Sequence, residues 1–173
     1  MLNDTLYRIR RIEGLQQLQK RGEGGARELT SSRLRLAPGA SYRYQIAAEE
    51  TVLVLQEGKG TFTTPDGTWT LSRKNVFEER ASAVYVPPGT TLTVTAETAL
   101  EAILVSTPAP AGGHAHATGP DGIEVNERGK GNYSRLLVVG AGHQFIANGT
   151  LEPLLRGITG DATNTFTPVL GDT

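Results

Sequence analysis

His114-Ala115-His116 is the one pair of imidazoles at a ligand-like spacing. On a strand, residues i and i+2 share a face, so two such rings could converge on a cation. Their surroundings argue otherwise: Gly112, Gly113 and Gly119 flank them, and the nearest carboxylates in sequence, Asp121 and Glu124, lie on a flexible stretch. An exposed loop is the expectation, ahead of an adventitious metal site. His143 stands alone, and a lone His is more often a surface or internally satisfied residue than a ligand. Arg128-Gly129-Lys130-Gly131 mixes glycine with cations as a phosphate cradle does, but lacks the helix that would aim backbone N–H groups at a phosphate. Ser82, Ser106 and Ser134 have no glycine-flanked elbow with a His partner, which removes the hydrolase reading.

The remaining polar candidates are Arg43, Gln45 and Thr51. Strand alternation puts Arg43, Gln45 and Ala47 on one face and Tyr42, Tyr44 and Ile46 on the other. A buried Arg needs a partner, and a small acid or sugar is one candidate. The favoured alternative is that Arg43 lies near an open end and reaches water or an internal carboxylate such as Glu57. With Arg43 on an inner face, Tyr42 and Tyr44 would point outward, where an interface is as good a use as a sugar platform.

The elements that must position these residues are strands. Runs of about five to eight residues rich in Thr, Val, Tyr and Leu alternate with Gly and Pro. The expected strands are Arg33–Leu36, Tyr42–Ala47, Thr51–Glu57, Gly60–Thr64, Thr68–Leu71, Ala83–Val86, Thr91–Thr95 and Glu101–Thr107, with Leu136–Val139 and Gln144–Ala147 beyond them. Pro65-Asp66-Gly67 reads as a hairpin turn with Gly in the left-handed position. Pro88 and Gly89 suit the centre of a type II turn. Ahead of the strands, Glu13 to Arg21 has a short helical pattern with Leu15 and Leu18 on one face, stopped at Gly22. The Thr51–Leu55 run is apolar on both faces, so its outer face must be covered by a second sheet, a neighbouring subunit or another domain. The fold class is all-β, with an N-terminal arm over 1–27, a β-barrel domain over 28–139 and a glycine-rich tail over 140–173.

Bulk properties exclude several partners. A net charge of −1, with 17 scattered Lys and Arg, leaves no electrostatic footprint for nucleic acid or anionic lipid. No run approaches the ~18 apolar residues of a membrane span. The first residues lack a secretory pattern and there is no Cys to staple an exported fold, so the cytoplasm is the expected compartment.

The spacing of Gly39, Gln45, Ala47, Thr51 and Gly58, followed by Pro87-Pro88-Gly89 and Leu92, resembles the two motifs of the cupin jelly-roll barrel. In cupins the positions matched by 45, 47, 51 and 92 carry His, His, Glu and His. Here they carry an amide, a hydroxyl and two hydrocarbons, so the resemblance implies a barrel with no metal in the standard place and no cofactor. It also turns the face of Arg43, Gln45 and Thr51 toward the barrel interior, as residues that would meet a substrate.

A more specific resemblance runs from Glu28 to about Leu137. Thr51-Val52-Leu53-Val54-Leu55-Gln56-Glu57-Gly58-Lys59-Gly60, Asn75-Val76-Phe77-Glu78, Ala83-Val84-Tyr85-Val86-Pro87-Pro88-Gly89, Val94-Thr95-Ala96-Glu97-Thr98 and Arg128-Gly129-Lys130-Gly131-Asn132 carry it. They are similar to the amino-terminal half of 5-deoxy-glucuronate isomerases, which form one family with the 4-deoxy-uronate isomerases. The family is a two-barrel cupin whose first barrel lacks metal ligands. Its second barrel binds the metal that interconverts aldose and ketose forms in inositol breakdown. The resemblance implies a chain carrying the non-metal barrel, with no His-x-His and Glu set after Leu137. Two functions follow as expectations: an isomerase of that family, or a metal-free module for sugar-acid binding or assembly. A half-protein would leave apolar strand faces uncovered, so a homodimer is also expected.

Overall fold

The computed structural model describes residues 9–45, 47–128 and 135–139. These form β1 (Gly14–Gln19), β2 (Thr30–Leu36), β3 (Ser41–Tyr44), β4 (Glu49–Thr64), β5 (Gly67–Arg73), β6 (Ser82–Val86), β7 (Leu92–Ala96), β8 (Leu100–Pro108), β9 (His116–Thr118), β10 (Glu124–Arg128) and β11 (Arg135–Val139). One short 3₁₀ turn spans Pro120–Gly122. No α-helix occurs among the described residues, and no helix there is long and apolar enough to cross a membrane.

Every pairing is antiparallel. One layer runs β1-β2-β8-β4-β6-β9, and the other brings β3, β7, β4 and β5 together. The two join through β4, whose first half pairs with β6 and β8 and whose second half pairs with β5 and β7. The result is a jelly roll closed by side-chain packing; its hydrogen-bonded path does not return on itself. Leu34, Leu53, Leu55, Val84, Val86 and Leu104 face inward from the first layer. Tyr44, Phe62, Leu71, Leu92, Val94 and Ala96 meet them from the second, and the alternation of buried and open positions along β2 and β7 shows the period of two that half-buried strands require.

Two expected strands, over 51–57 and 60–64, are thus halves of one 16-residue strand. A strand can change layers only by a local kink, and β4 shifts register between Leu55 and Glu57 just before Gly58. Gly58 has φ +101, and a Cβ there would lie 2.8 Å from the Leu100 Cα and closer still to the Ala99 carbonyl oxygen. The bend therefore needs both the left-handed backbone and the missing side chain.

The helical pattern over 13–21 is overturned, since residues 14–19 are the edge strand β1. Leu15 packs on the core beside its register partner Leu34. The open edge of β2 supplies backbone partners that an isolated nine-residue helix would lack, so tertiary pairing overrides the local pattern. Glu101 on β8 braces this edge through Arg35 at 3.2 Å and Arg33 at 3.5 Å. The hairpin at Pro65-Asp66 forms as expected, but Gly67 is not left-handed; the Trp69 ring lies 3.1 Å from where its Cβ would be. Residues 83 and 85, on the outer face of β6, are buried, as is Glu50 on β4, whose carboxylate accepts a 3.0 Å hydrogen bond from the Tyr85 hydroxyl. The strand expected at 136–139 is contained in β11, whereas Gln144–Ala147, His143, Ser134 and the tail over 140–173 lie outside the described residues.

The cost of closing the bend is measurable against a second left-handed glycine. Gly39 has φ +80 with nothing within 4 Å of its Cβ position. Gly39→Ala should cost about 1 kcal/mol, from backbone strain alone, and Gly58→Ala on the order of 3 kcal/mol or more. Equal urea midpoints for the two variants would refute the steric account of the bend.

Candidate functional site

The four positions at which a cupin places its ligands do not converge here. β3 ends at Tyr44, and its register with β7 pairs Tyr44 with Leu92 and Tyr42 with Val94. Leu92 and Val94 are core residues, so Tyr44 points inward with them and Tyr42 packs partly against the same core. Arg43 and Gln45 face water, and Ala47 is exposed in the following turn. The expected orientation is thus inverted: the aromatic residues take the inner face because they bury more apolar area than Arg43 and Gln45 could. Ile46 lies outside the described residues. The Gln45 amide nitrogen donates to the Gly89 carbonyl at 3.2 Å, tying the end of β3 to the Pro87-Pro88-Gly89 turn. That turn has the expected type II character, with Gly89 at φ +77 and the Thr90 N–H donating to Pro87 O at 3.2 Å.

Thr51 does face inward and is buried. Its register partners are Val86 on β6 and Ser106 on β8. The Tyr44 hydroxyl lies 3.3 Å from Thr51 Oγ1. Beside them the Ser106 hydroxyl donates to Glu49 Oε2 at 2.6 Å. Burial pushes the Tyr44 phenol above its ordinary value, against smaller opposing contributions from hydrogen bonds with Thr51 and Ser106. The phenol therefore stays protonated.

A phenol, a hydroxyl and the hydrocarbon of Leu92 fill this end of the interior. This donor set does not fit a first-row metal, which requires imidazole, carboxylate or thiolate groups around an open position. Among the described residues no group of three His, Cys, Asp or Glu is placed to hold an ion.

His114 lies in the exposed loop expected of it, with a partner that sequence proximity did not reveal, whereas His116, also exposed, already belongs to a strand. Asp66, at the tip of the β4–β5 hairpin, accepts a 2.7 Å hydrogen bond from the Ala115 N–H and lies 3.3 Å from His114 Nδ1. These two contacts, the Ala115 N–H first, hold the Asp66 carboxyl below its usual range. At its other end the strap is fixed by the Ala109 N–H, which donates to Ala48 O at 3.2 Å. It passes through Gly112 and Gly113, both at positive φ, on its way from β8 to β9. His116 begins β9 opposite Tyr85. A further open groove of about 430 Å³ is lined by Ser72, Glu79, Arg80, Pro120 and Asp121. Its Arg80 guanidinium donates to the Ile123 carbonyl at 3.3 Å. Of the Arg128–Gly131 run only Arg128 is described, ending β10 opposite Arg135.

A two-layer antiparallel jelly roll around one apolar core, with left-handed glycines at 39, 58 and 89, has the cupin-type fold. The profile of the KduI/IolB family matches residues 10–144, and the chain belongs to that family. Among solved structures it is similar to an IolB-like protein from Salmonella typhimurium LT2, at 27% identity and a TM-score of 0.65, over 74% of this chain and 50% of that one. This chain therefore spans half the length of that relative. Weaker likenesses include the Cnp3 cupin domain of Schizosaccharomyces pombe (12% identity, TM-score 0.43, 54% of this chain and 63% of that one). A cupin superfamily protein from Desulfitobacterium hafniense DCB-2 is another (13%, 0.43, 62% and 89%). Comparison with the curated proteins gives no match.

Two titrations test this geometry. Tyr44 ionises above its unfolded value of 10.0 in the folded chain, so its contribution to stability is complete below that pH and is lost as pH rises through the raised value. Tyr44→Phe should cost about 1 kcal/mol at neutral pH, and denaturant titrations should show the gap to wild type shrinking above pH 10. Asp66 is shifted the other way from 3.8, so its grip on the strap holds above that pH and is lost as pH falls through the lowered value. Hydrogen exchange at the Ala115 amide, corrected for its intrinsic rate, should accelerate in acid, and Asp66→Ala should remove the protection at every pH.

Proposed function

We infer that this chain is a metal-free barrel of the KduI/IolB family whose task is assembly, within the aldose–ketose isomerisation of deoxy-uronates that serves inositol catabolism. The observation that supports the reading is the residue set at the ligand positions: Gln45 and Ala47 face water, Leu92 is core hydrocarbon, and the buried Thr51 meets the Tyr44 phenol. Isomerisation of this kind moves a proton between adjacent carbons through an enediol, with a Lewis acid to hold the developing oxyanion and a base to carry the proton. Among the described residues no group of three His, Cys, Asp or Glu could hold the Lewis acid, and the Glu49 carboxylate beside this cluster is engaged by Ser106 and Arg21. In this reading the chemistry belongs to a second, metal-binding barrel, in the same polypeptide or in another, in the cytoplasm.

Binding of a sugar acid by Arg43, Gln45 and Thr51 is the alternative. Arg43 and Gln45 lie on the solvent side of β3 and Thr51 lies within the core, so the three do not line one volume. Assembly is the better supported use.

The test is to purify the chain, measure bound transition metal by mass spectrometry, and assay conversion of 5-deoxy-glucuronate with added Zn, Mn or Fe. The expected outcome is far less than one metal per chain and no turnover above buffer. Stoichiometric metal with turnover would overturn the reading. Binding of the sugar acid measured by calorimetry without turnover would favour the alternative.

A further inference from the structure

On the side of β5 and β9 the two layers meet without a shared backbone ladder. β9 pairs with β6 and β5 pairs with β4, and among the described residues no ladder joins β9 to β5. The bond across this gap comes from a side chain at the tip of the β4–β5 hairpin. Asp66 accepts from the Ala115 N–H at 2.7 Å and meets His114 Nδ1 at 3.3 Å, both just ahead of β9. On its other side β9 is held by three register pairs with β6: Tyr85 with His116, Val84 with Ala117 and Ala83 with Thr118. An edge strand this short has few bonds to lose, which places it at the low end of the range of local stabilities in a folded chain.

Glycines stand at both ends of the segment. Gly112 and Gly113, at φ +127 and +89, precede His114. Gly119 follows Thr118, with nothing within 4 Å of its Cβ position. Beyond these glycines the chain is fastened again, by the Ala109 N–H on Ala48 O at 3.2 Å and by the buried Ile123, whose carbonyl accepts from Arg80 at 3.3 Å. A segment joined to fixed points through glycines can turn without disturbing those points. Its inner side is apolar: Ala115 is buried and Ala117 packs on the core, as does the partly buried Trp69 of β5. The Trp69 ring also lies against Gly67, the residue after Asp66.

We propose that His114 to Thr118 form a flap in the barrel wall, latched by Asp66 and turning on the glycines at either end. Closed, the flap covers the edge of β6, a strand buried along its whole length. Open, it frees that edge and admits solvent and small solutes to the interior beside Trp69. The latch is a charge-assisted hydrogen bond from one carboxylate, so a single side chain sets how often the wall opens. The device stands apart from the ligand positions and does not depend on whether the barrel takes part in assembly.

The test is amide hydrogen exchange, residue by residue, on the full chain for wild type, Asp66→Ala and Asp66→Asn, with acrylamide quenching of Trp69, the one tryptophan of the chain. In wild type the protected amides among residues 115–118 should open together, with protection at least about a hundred-fold below that of β4 and β8. Asp66→Ala should speed exchange throughout the segment at least about ten-fold and raise the quenching of Trp69, while β4 and β8 keep their protection. Asp66→Asn, whose side-chain oxygen can still accept from the Ala115 N–H, should recover most of the loss. The proposal is overturned if Asp66→Ala affects the Ala115 amide alone, since the latch then holds one bond and no flap. It is overturned equally if residues 115–118 exchange only together with β4 and β8, or if their exchange quickens while Trp69 stays as shielded as before.

Discussion

The architecture depends on one strand belonging to two layers. β4 can pair with β8 and β6 at one end and with β7 and β5 at the other only because its backbone bends at Gly58, against the Ala99–Leu100 segment. That contact sets the approach of the two sheets and hence which side chains share the interior. Core packing, the position of the mouth and the root of the β5–β6 loop all follow from it, since Arg73 pairs with Gly58 and grips Leu55 O on the other side of the bend.

At the mouth, the inward turn of Tyr44 decides the chemistry. Tyr44 is buried, in register with Leu92, and its hydroxyl meets Thr51, while Gln45 and Ala47 on either side of the chain's turn face water. The buried hydroxyls here have partners, Tyr44 with Thr51 and Ser106 with Glu49, as polar groups in a low-dielectric setting require. The span that matches the family, residues 10–144, includes the left-handed Gly39, Gly58 and Gly89 at its bends.

Most strands were legible because alternation and turn chemistry are local. Leu92-Thr93-Val94-Thr95-Ala96 writes its buried face in every second residue, and Pro87-Pro88-Gly89 specifies its own turn. What was not legible depended on partners distant in sequence. Residues 14–19 are a strand because β2 has an open edge, a fact absent from their own pattern. The orientation of β3 is fixed by Leu92 and Val94, some fifty residues on, and an alignment to ligand positions assigned it the wrong way round. Asp66 reaches Ala115 across 49 positions, so the nearest carboxylates in the chain were the wrong ones. The residue types at 51 and 92, a hydroxyl and a hydrocarbon, are legible without any structure, but the inward turn of Tyr44 beside them is not.

The outermost position of β1 carries a consequence for solubility. A terminal strand offers a row of backbone donors and acceptors onto which a foreign strand can zip, the usual seed of aggregation. β1 interrupts its register between Gln17 and Gln19, and after Gln19 the chain leaves the sheet through a turn in which the Gly22 N–H donates to Ala26 O. An invading strand would find an uneven ladder, broken before it is long enough to hold.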